Sequence, residues 1–248
     1  MHPVEREIGY RFRDSALLRG ATGTWHRSFG PLEHLGDTIA DLAVAVTCHR
    51  LGAGPDIAAT LVDNAHLERV MASRLRRLVR PRTGDVIEAL VGAVHLDGGF
   101  DRAAEVAIRL LVPDSRWESI PESAVPVGVP TGDGPVWLGA LVLDAVIADH
   151  LVRRRGPTRT SQRELSRTRS HIVRSTALER LVGQVPAWRS AGLDARRLKG
   201  SVALLLLRHG WVPTRDHLEG VLVAHRLLDG VDGSRPVVSG TGGRSRAR

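Results

Sequence analysis

The feature that most limits how this chain can fold is a pair of acidic segments, each set in an apolar pattern of helical period. Glu33 and Asp37 stand four residues apart, and Asp85 and Glu88 stand three apart. Residues at these spacings share one face of an α-helix. Their neighbours form the apolar stripes of core-packed helices: Leu35, Ile39, Leu42, Ala43 and Val46, then Val86, Ile87, Leu90, Val91 and Val94. The pattern predicts two largely buried helices, each carrying two carboxylates.

Carboxylates beside an apolar core need a compensating partner, because loss of hydration disfavours their charged form. A hard cation with oxygen ligands provides one, and Mg²⁺ is the usual candidate where carboxylates are combined with water and phosphate. The alternative is that these acids are solvated at helix ends or are paired with nearby arginines. The spacing alone leaves both interpretations open.

Three blocks of the first half resemble the catalytic domain of the ribonuclease III family. The segment Leu32–Asp37 resembles the family's signature helix, Leu-Glu-x-Leu-Gly-Asp, and Asp85–Phe100 resembles its second acidic helix with the turn that follows. The opening Glu7–Leu18 is similar to the family's first helix. The blocks occur in the family's order and cover most of residues 5–112. The resemblance implies an all-α fold.

The resemblance also implies a site and a reaction. It makes Glu33, Asp37, Asp85 and Glu88, here called the quartet, the metal-binding residues, with Asp37 and Glu88 also counted as catalytic. The implied cofactor is Mg²⁺, with Mn²⁺ as a second candidate. The implied chemistry is hydrolysis of a phosphodiester with two metal ions, which activate water and stabilise the leaving oxygen.

A linker and a second, weaker resemblance follow. Five of the 13 prolines lie between Pro113 and Pro135, which is typical of a linker. Beyond it, Trp137–Asp144 can be laid over His34–Asp41, and Leu198–Trp211 over Ile87–Phe100. We therefore predict a catalytic domain at 1–113, a linker at 114–132, a degenerate copy at 133–232 and a disordered basic tail at 233–248. The two copies would form an intramolecular pseudo-dimer.

The second copy has lost the acids of the quartet. The matching positions hold Val136, Ala140, Arg196 and Lys199. Two aliphatic and two cationic side chains cannot bind Mg²⁺, although the cations can attract phosphate. This copy is therefore expected to have no metal site of its own.

Two further acids are implied by the resemblance, since the family carries auxiliary acids near its quartet. The first copy lacks them, whereas the second has Asp133 and Glu164 at the matching positions. In a paired arrangement these acids would approach the quartet of the first copy and make one composite site. The alternatives are a linker turn for Asp133, and a surface ion pair with a cation such as Arg167 for Glu164.

Charge is distributed unevenly along the chain. Residues 1–125 carry 15 Arg and 17 acids, a net of −2, whereas residues 126–248 carry 20 Arg plus Lys and 10 acids, a net of +10. Such asymmetry indicates nucleic-acid binding, although a solvated arginine-rich surface is the alternative. Arg153, Arg154 and Arg155 end an apolar helix, where they suit its dipole or a phosphate. With Arg196 and Lys199 they are the candidate RNA-binding residues.

The leading hypothesis is a metal-dependent endoribonuclease that cuts one strand of double-stranded or structured RNA. The alternatives are a non-catalytic RNA-binding or ribosome-associated scaffold, and a recruited metal enzyme acting on a small molecule. No apolar run is long enough to span a bilayer and no signal-peptide pattern opens the chain, so we expect no membrane partner and a cytoplasmic location. The sequence leaves open whether two chains associate.

Helical patterns are predicted over nine segments, and no alternating strand pattern of useful length occurs. The segments are 16–18, 38–51, 59–79, 85–96, 101–111, 141–154, 161–182, 198–209 and 215–228.

Overall fold

The computed structural model describes residues 1–80, 83–112, 135–172, 175–225 and 227–228. Within these ranges the regular structure is helical and contains no strand, so the predicted all-α class is confirmed. None of the described helices combines the length and the apolar character needed to cross a membrane. The predicted linker and basic tail lie outside the described residues.

Seven helices and one π-helical turn form the described first half. They are α1 (Pro3–Ile8), α2 (Ser15–Thr22), α3 (Phe29–Arg50), α4 (Pro55–Val62), α5 (Asn64–Val70), the π-helical turn Met71–Leu75, α6 (Asp85–Gly98) and α7 (Phe100–Leu111). Six helices follow in the described second half. They are α8 (Val136–Arg155), α9 (Gln162–Ile172), α10 (Ser175–Gln184), α11 (Pro186–Ser190), α12 (Ala195–His209) and α13 (Trp211–Ala224).

Several predicted helix boundaries differ from the structure, including those around Asp63 and at the start of α3. The helix predicted over 59–79 is interrupted at Asp63, whose backbone is extended and whose side chain accepts a hydrogen bond from the His66 amide. Aspartate favours such an N-cap over a helix interior, because its carboxylate satisfies a free amide at the start of a helix. The signature helix α3 begins at Phe29, earlier than predicted, so both of its acids lie inside it.

Glycines allow α3 and α6 to cross at very short range. A Cβ atom built on Gly36 would lie 1.7 Å from the carbonyl oxygen of Glu88, and one on Gly92 would lie 2.1 Å from that of Leu32. No side chain fits at either position, so only glycine permits this approach of the two backbones. The crossing sets the two acidic segments directly against each other.

The second half repeats this crossing with α8 and α12. A Cβ atom on Gly139 would lie 1.7 Å from the carbonyl oxygen of Lys199. In the comparison of the two halves, Gly139 matches Gly36 and Lys199 matches Glu88. The same helix pair therefore meets at the matching residues in both halves.

The two halves pack against each other through their matching helices. Helix α3 packs along α8. The rings of Phe100 and Trp211, which also match in the sequence comparison, are stacked with centroids 4.8 Å apart and planes inclined by 19°. Nearby, His95 Nε2 and Asp149 Oδ1 lie 2.8 Å apart in a fully buried contact between α6 and α8. This packing fixes the position of the second half relative to the acidic segments.

Candidate active site

The four acids of the quartet line a single pocket with a volume of about 410 Å³. Glu33 and Asp37 reach it from α3, and Asp85 and Glu88 reach it from the first turn of α6. Asp85 is exposed, whereas the other three are partly buried. The helical spacing explains how each pair shares a face, and the glycine crossing explains why the two faces meet.

Burial and mutual repulsion make the quartet difficult to ionise fully. Burial, together with the charges of Asp37, Glu33 and Asp85, raises the pKa of Glu88 to about 8. Burial also raises the pKa of Glu33 to about 7, with Asp85 and Asp37 contributing. Like charges in a partly dry pocket disfavour each other's ionised form. The pocket therefore has a deficit of positive charge.

The quartet suits a hard divalent cation by the chemistry of its donors. Carboxylate oxygens, joined by the side chain of Asn64 on the pocket wall, are the ligands that Mg²⁺ and Mn²⁺ prefer. Among the residues that the structure describes, however, no group of three or more His, Cys, Asp or Glu side chains is arranged to hold a metal ion. The fit is therefore one of donor type and charge.

Helix α9 of the second half forms the opposite wall of the pocket. Gln162 Nε2 donates a hydrogen bond to Glu33 Oε1 at 3.0 Å, and Arg169 Nη1 donates one to Asp37 Oδ2 at 3.3 Å. Ser166 and Ser170 also line the pocket. These four residues recur at helical spacing on one face of α9. Sequence reasoning missed Gln162 and Arg169, although this polar stripe was present as a signal.

The two predicted auxiliary acids have different placements. Glu164 lies two residues from Gln162, about 200° around the helix, and forms an ion pair with Arg155 instead of lining the pocket. Asp133 lies outside the described residues. The second half thus reaches the quartet through an amide and a guanidinium, and an auxiliary role for either acid stays a prediction.

A second acidic pair lies deeper, between α3 and α8. Burial raises the pKa of Asp41 to about 7 and that of Asp144 to about 6. Arg169 opposes both shifts, and its Nε lies 3.5 Å from Asp144 Oδ1. Since the same guanidinium also contacts Asp37, Arg169 joins an acid of the quartet to an acid of the second half.

The candidate RNA-binding cations differ in their surroundings. Arg153 is held by Asp149, with its Nε 2.5 Å from Oδ1, and Arg155 is paired with Glu164. Arg153, Arg154 and Arg196 are exposed. Lys199 is partly buried, and its charge acts to lower the pKa of Asp144. Exposure leaves the three guanidinium groups accessible to a phosphate from solvent.

The fold and pocket define a helical protein in which one half presents clustered carboxylates and the other covers them. Its sequence is similar to three proteins called Ribonuclease 3: 34% identical over 137 residues in Bordetella avium, 35% over 134 residues in Variovorax paradoxus, and 33% over 147 residues in Alkalilimnicola ehrlichii. The matches cover 44%, 44% and 49% of this chain. No protein-family model matches the chain.

These similarities support a relationship to the ribonuclease III family over the matched part of the chain. The chain spans 53%, 58% and 63% of the lengths of those three relatives.

Proposed function

We propose that this protein is a metal-dependent endoribonuclease that hydrolyses phosphodiester bonds in double-stranded or structured RNA through one composite site. The observation that carries the proposal is the pocket itself, in which four carboxylates from α3 and α6 face α9 of the second half. The relationship to proteins called Ribonuclease 3 supports the same reaction. RNA processing in the cytoplasm is the corresponding expectation.

Glu33, Asp37, Asp85 and Glu88 would hold the metal, for which Mg²⁺ is the first candidate and Mn²⁺ the second. When bound, such ions supply an activated water and charge stabilisation of the leaving oxygen. Arg169 and Gln162 now provide the positive charge and the hydrogen bond that Asp37 and Glu33 receive. A metal ion that binds the quartet would therefore compete with Arg169 for the carboxylate of Asp37.

The second half would position RNA and contribute no second quartet. Arg154, Arg196 and Lys199 supply cations that can contact the phosphate backbone, and Arg153 and Arg155 add to the local positive potential. Recognition would rest on A-form shape and phosphate contacts. The matched glycine crossings and the stacked rings of Phe100 and Trp211 support an intramolecular pseudo-dimer. The domain boundaries, which fall partly outside the described residues, stay a prediction.

A chain with one quartet should cut one strand of a duplex. We expect a duplex labelled differently on its two strands to accumulate as a nicked species, intact on a native gel and shortened in one strand on a denaturing gel. The reaction should need Mg²⁺ or Mn²⁺ and stop with EDTA. Concerted cutting of both strands by a monomer would contradict the one-site proposal. Tight RNA binding without metal-dependent cleavage would favour the scaffold alternative.

Mg²⁺ should stabilise this protein more strongly at pH 8.5 than at pH 6. The pKa values of Glu33 and Glu88 are raised from the ordinary 4.5 to about 7 and about 8, so the folded chain holds protons that the unfolded chain has released. Stability from these two groups is therefore complete below about pH 4.5 and is lost as pH rises through 7 to 8. A bound cation offsets the burial cost and the repulsion that cause this loss.

Thermal melts with and without Mg²⁺ at both pH values test this expectation. Glu88→Gln, which removes the group with the larger shift, should weaken both the fall in melting temperature and the Mg²⁺ response at pH 8.5. Asp56→Asn, which removes an exposed acid of α4 outside the pocket, is the control. An equal Mg²⁺ response at both pH values would contradict the assignment of the quartet as the metal site.

A further inference from the structure

A second cavity, with a volume of about 580 Å³, lies between the end of α1, the π-helical turn and α7. Four arginines line it, Arg11, Arg74, Arg102 and Arg109, together with one acid, Glu105. Such a density of guanidinium groups around one concavity is unfavourable unless acids or a bound anion compensate it. The half of the chain that contains the cavity has a net charge of −2, so general basicity does not explain the cluster.

Internal ion pairs account for only part of this charge. Arg74 Nε donates to Glu7 Oε1 at 2.7 Å, and Arg102 Nη1 donates to Glu105 Oε2 at 2.7 Å. The side chains of Arg11 and Arg109 form no hydrogen bond or ion pair with any described residue, although the charge of Arg11 helps to lower the pKa of Glu5. Two guanidinium groups are therefore available to a ligand in the part of the chain that the structure describes.

The backbone at the end of α1 leaves room for one of these groups. Gly9 ends the helix in the left-handed region, with φ of 72°. A Cβ atom at this position would lie 2.7 Å from Arg109 Nη1, so the absence of a side chain lets the guanidinium rest against the turn. Arg74 also donates to the backbone carbonyl of Arg109, which fixes the start of that side chain. These contacts hold Arg109 at the cavity wall.

The cavity is separate from the quartet. Tyr10, which lines the cavity, donates a hydrogen bond at 2.7 Å to Asp97, near the end of α6. Asp85 and Glu88 of the quartet lie at the other end of that helix, in its first turn. Twelve residues of helix separate Asp85 from Asp97, a distance of about 18 Å. A ligand in the cavity would therefore not contact the acids that face α9.

We propose that this cavity binds a terminal phosphate, carried by a free nucleotide or by the 5′ end of an RNA strand. Guanidinium groups bind phosphate oxygens in pairs, and a terminal phosphate offers more charge and more free oxygens than a phosphodiester within a chain. A concave site takes the end of a molecule, whereas the ridge of a duplex backbone needs an open groove. The volume is within the range of sites for small ligands. The proposal does not depend on the activity of the quartet.

The test measures binding in EDTA, so that cleavage cannot interfere. The probe is a 12-nucleotide single-stranded RNA labelled at its 3′ end, with either a 5′-phosphate or a 5′-hydroxyl, and binding is followed by fluorescence anisotropy. Adenosine 5′-monophosphate and pyrophosphate serve as competitors. We expect the 5′-phosphate to tighten binding by about tenfold, which is the scale of one or two charged hydrogen bonds. If the small molecules displace the RNA and bind as tightly as it does, the natural ligand is a free nucleotide. If they do not displace it, the ligand is the 5′ end of an RNA strand.

Variants locate the binding. Arg109→Gln should weaken binding of the phosphorylated probe about tenfold, and Arg11→Gln by a similar factor. Glu105→Gln, which releases Arg102, should tighten binding by a few fold. Arg189→Gln on α11 makes the same change of charge far along the chain and should leave binding within about twofold. Equal binding of the 5′-phosphate and 5′-hydroxyl probes, or equal losses of binding in Arg109→Gln and Arg189→Gln, would overturn the proposal. The Glu105→Gln variant tests the proposal even if an arginine variant is unstable.

Discussion

Asp37→Asn should abolish RNA cleavage while leaving the helical fold intact. Asp37 contributes to the raised pKa of both Glu33 and Glu88, so its carboxylate lies within the field of the other acids in the pocket. The amide keeps the shape of the side chain but removes a charged oxygen ligand for the metal. Metal ions contribute several kcal/mol to such reactions, so we expect the rate to fall roughly a thousandfold or more. Single-turnover cleavage of a labelled duplex measures it.

Asp56→Asn is the matched control for this variant. Asp56 is exposed in the first turn of α4 and is absent from the pocket wall, so the same loss of charge should leave the rate nearly unchanged. Circular dichroism and the melting temperature show whether each variant is folded. A rate for Asp37→Asn within about tenfold of the unaltered protein would mean that the quartet is not the catalytic centre.

Gly36→Ala should destabilise the protein severely, although it adds a single methyl group. The new Cβ atom would lie 1.7 Å from the carbonyl oxygen of Glu88. The backbone of α3 fixes the Cβ atom and the oxygen is part of the backbone of α6, so neither can turn away. Helices α3 and α6 would have to separate, which disturbs the core along the whole crossing. Overpacking of a core costs 1–3 kcal/mol for flexible side chains, and we expect about 3 kcal/mol or more here. Urea unfolding followed by circular dichroism gives the change in free energy of unfolding.

The opposite effect is expected at a glycine of the same protein with open space around it. Gly220 lies within α13, is exposed, and a Cβ atom there would meet no atom within 4 Å. Gly220→Ala should therefore stabilise the protein by about 0.5–1 kcal/mol, because alanine loses less backbone entropy in a helix. Similar effects of the two substitutions would contradict the tight crossing of α3 and α6.

The carboxylates of the candidate site could be predicted, because the placement of each acid pair depends only on residues close together in the sequence. Glu33 and Asp37 share a helix face by spacing alone, as do Asp85 and Glu88, and the apolar residues around them indicate which face is buried. That all four meet in one pocket was expected from the family resemblance. In the structure the crossing at Gly36 and Gly92 brings them together.

The opposite wall could not be predicted in the same way, because it depends on how the two halves pack. The family resemblance drew attention to Glu164, whereas the face of α9 that meets the quartet carries Gln162 and Arg169. Helical geometry places Glu164 on a different face of α9 from Gln162 and Arg169. The sequence does not tell which of these faces the packing of α3, α8 and α9 turns towards the quartet. The break at Asp63 was missed for a related reason, since apolar periodicity continues through a residue whose side chain caps the next helix.

The contact between Gly139 and Lys199 shows that the helix crossing in the second half requires a glycine but does not require the acids of the quartet. Four positions that hold acids in the first half are here Val136, Ala140, Arg196 and Lys199, so α8 and α12 cross without the acids of the quartet. Gly139 cannot be exchanged in this way, because its neighbour is a backbone atom that every residue possesses. A protein engineer could therefore rebuild the face of α8 and α12 for a different ligand, provided that this one glycine is retained.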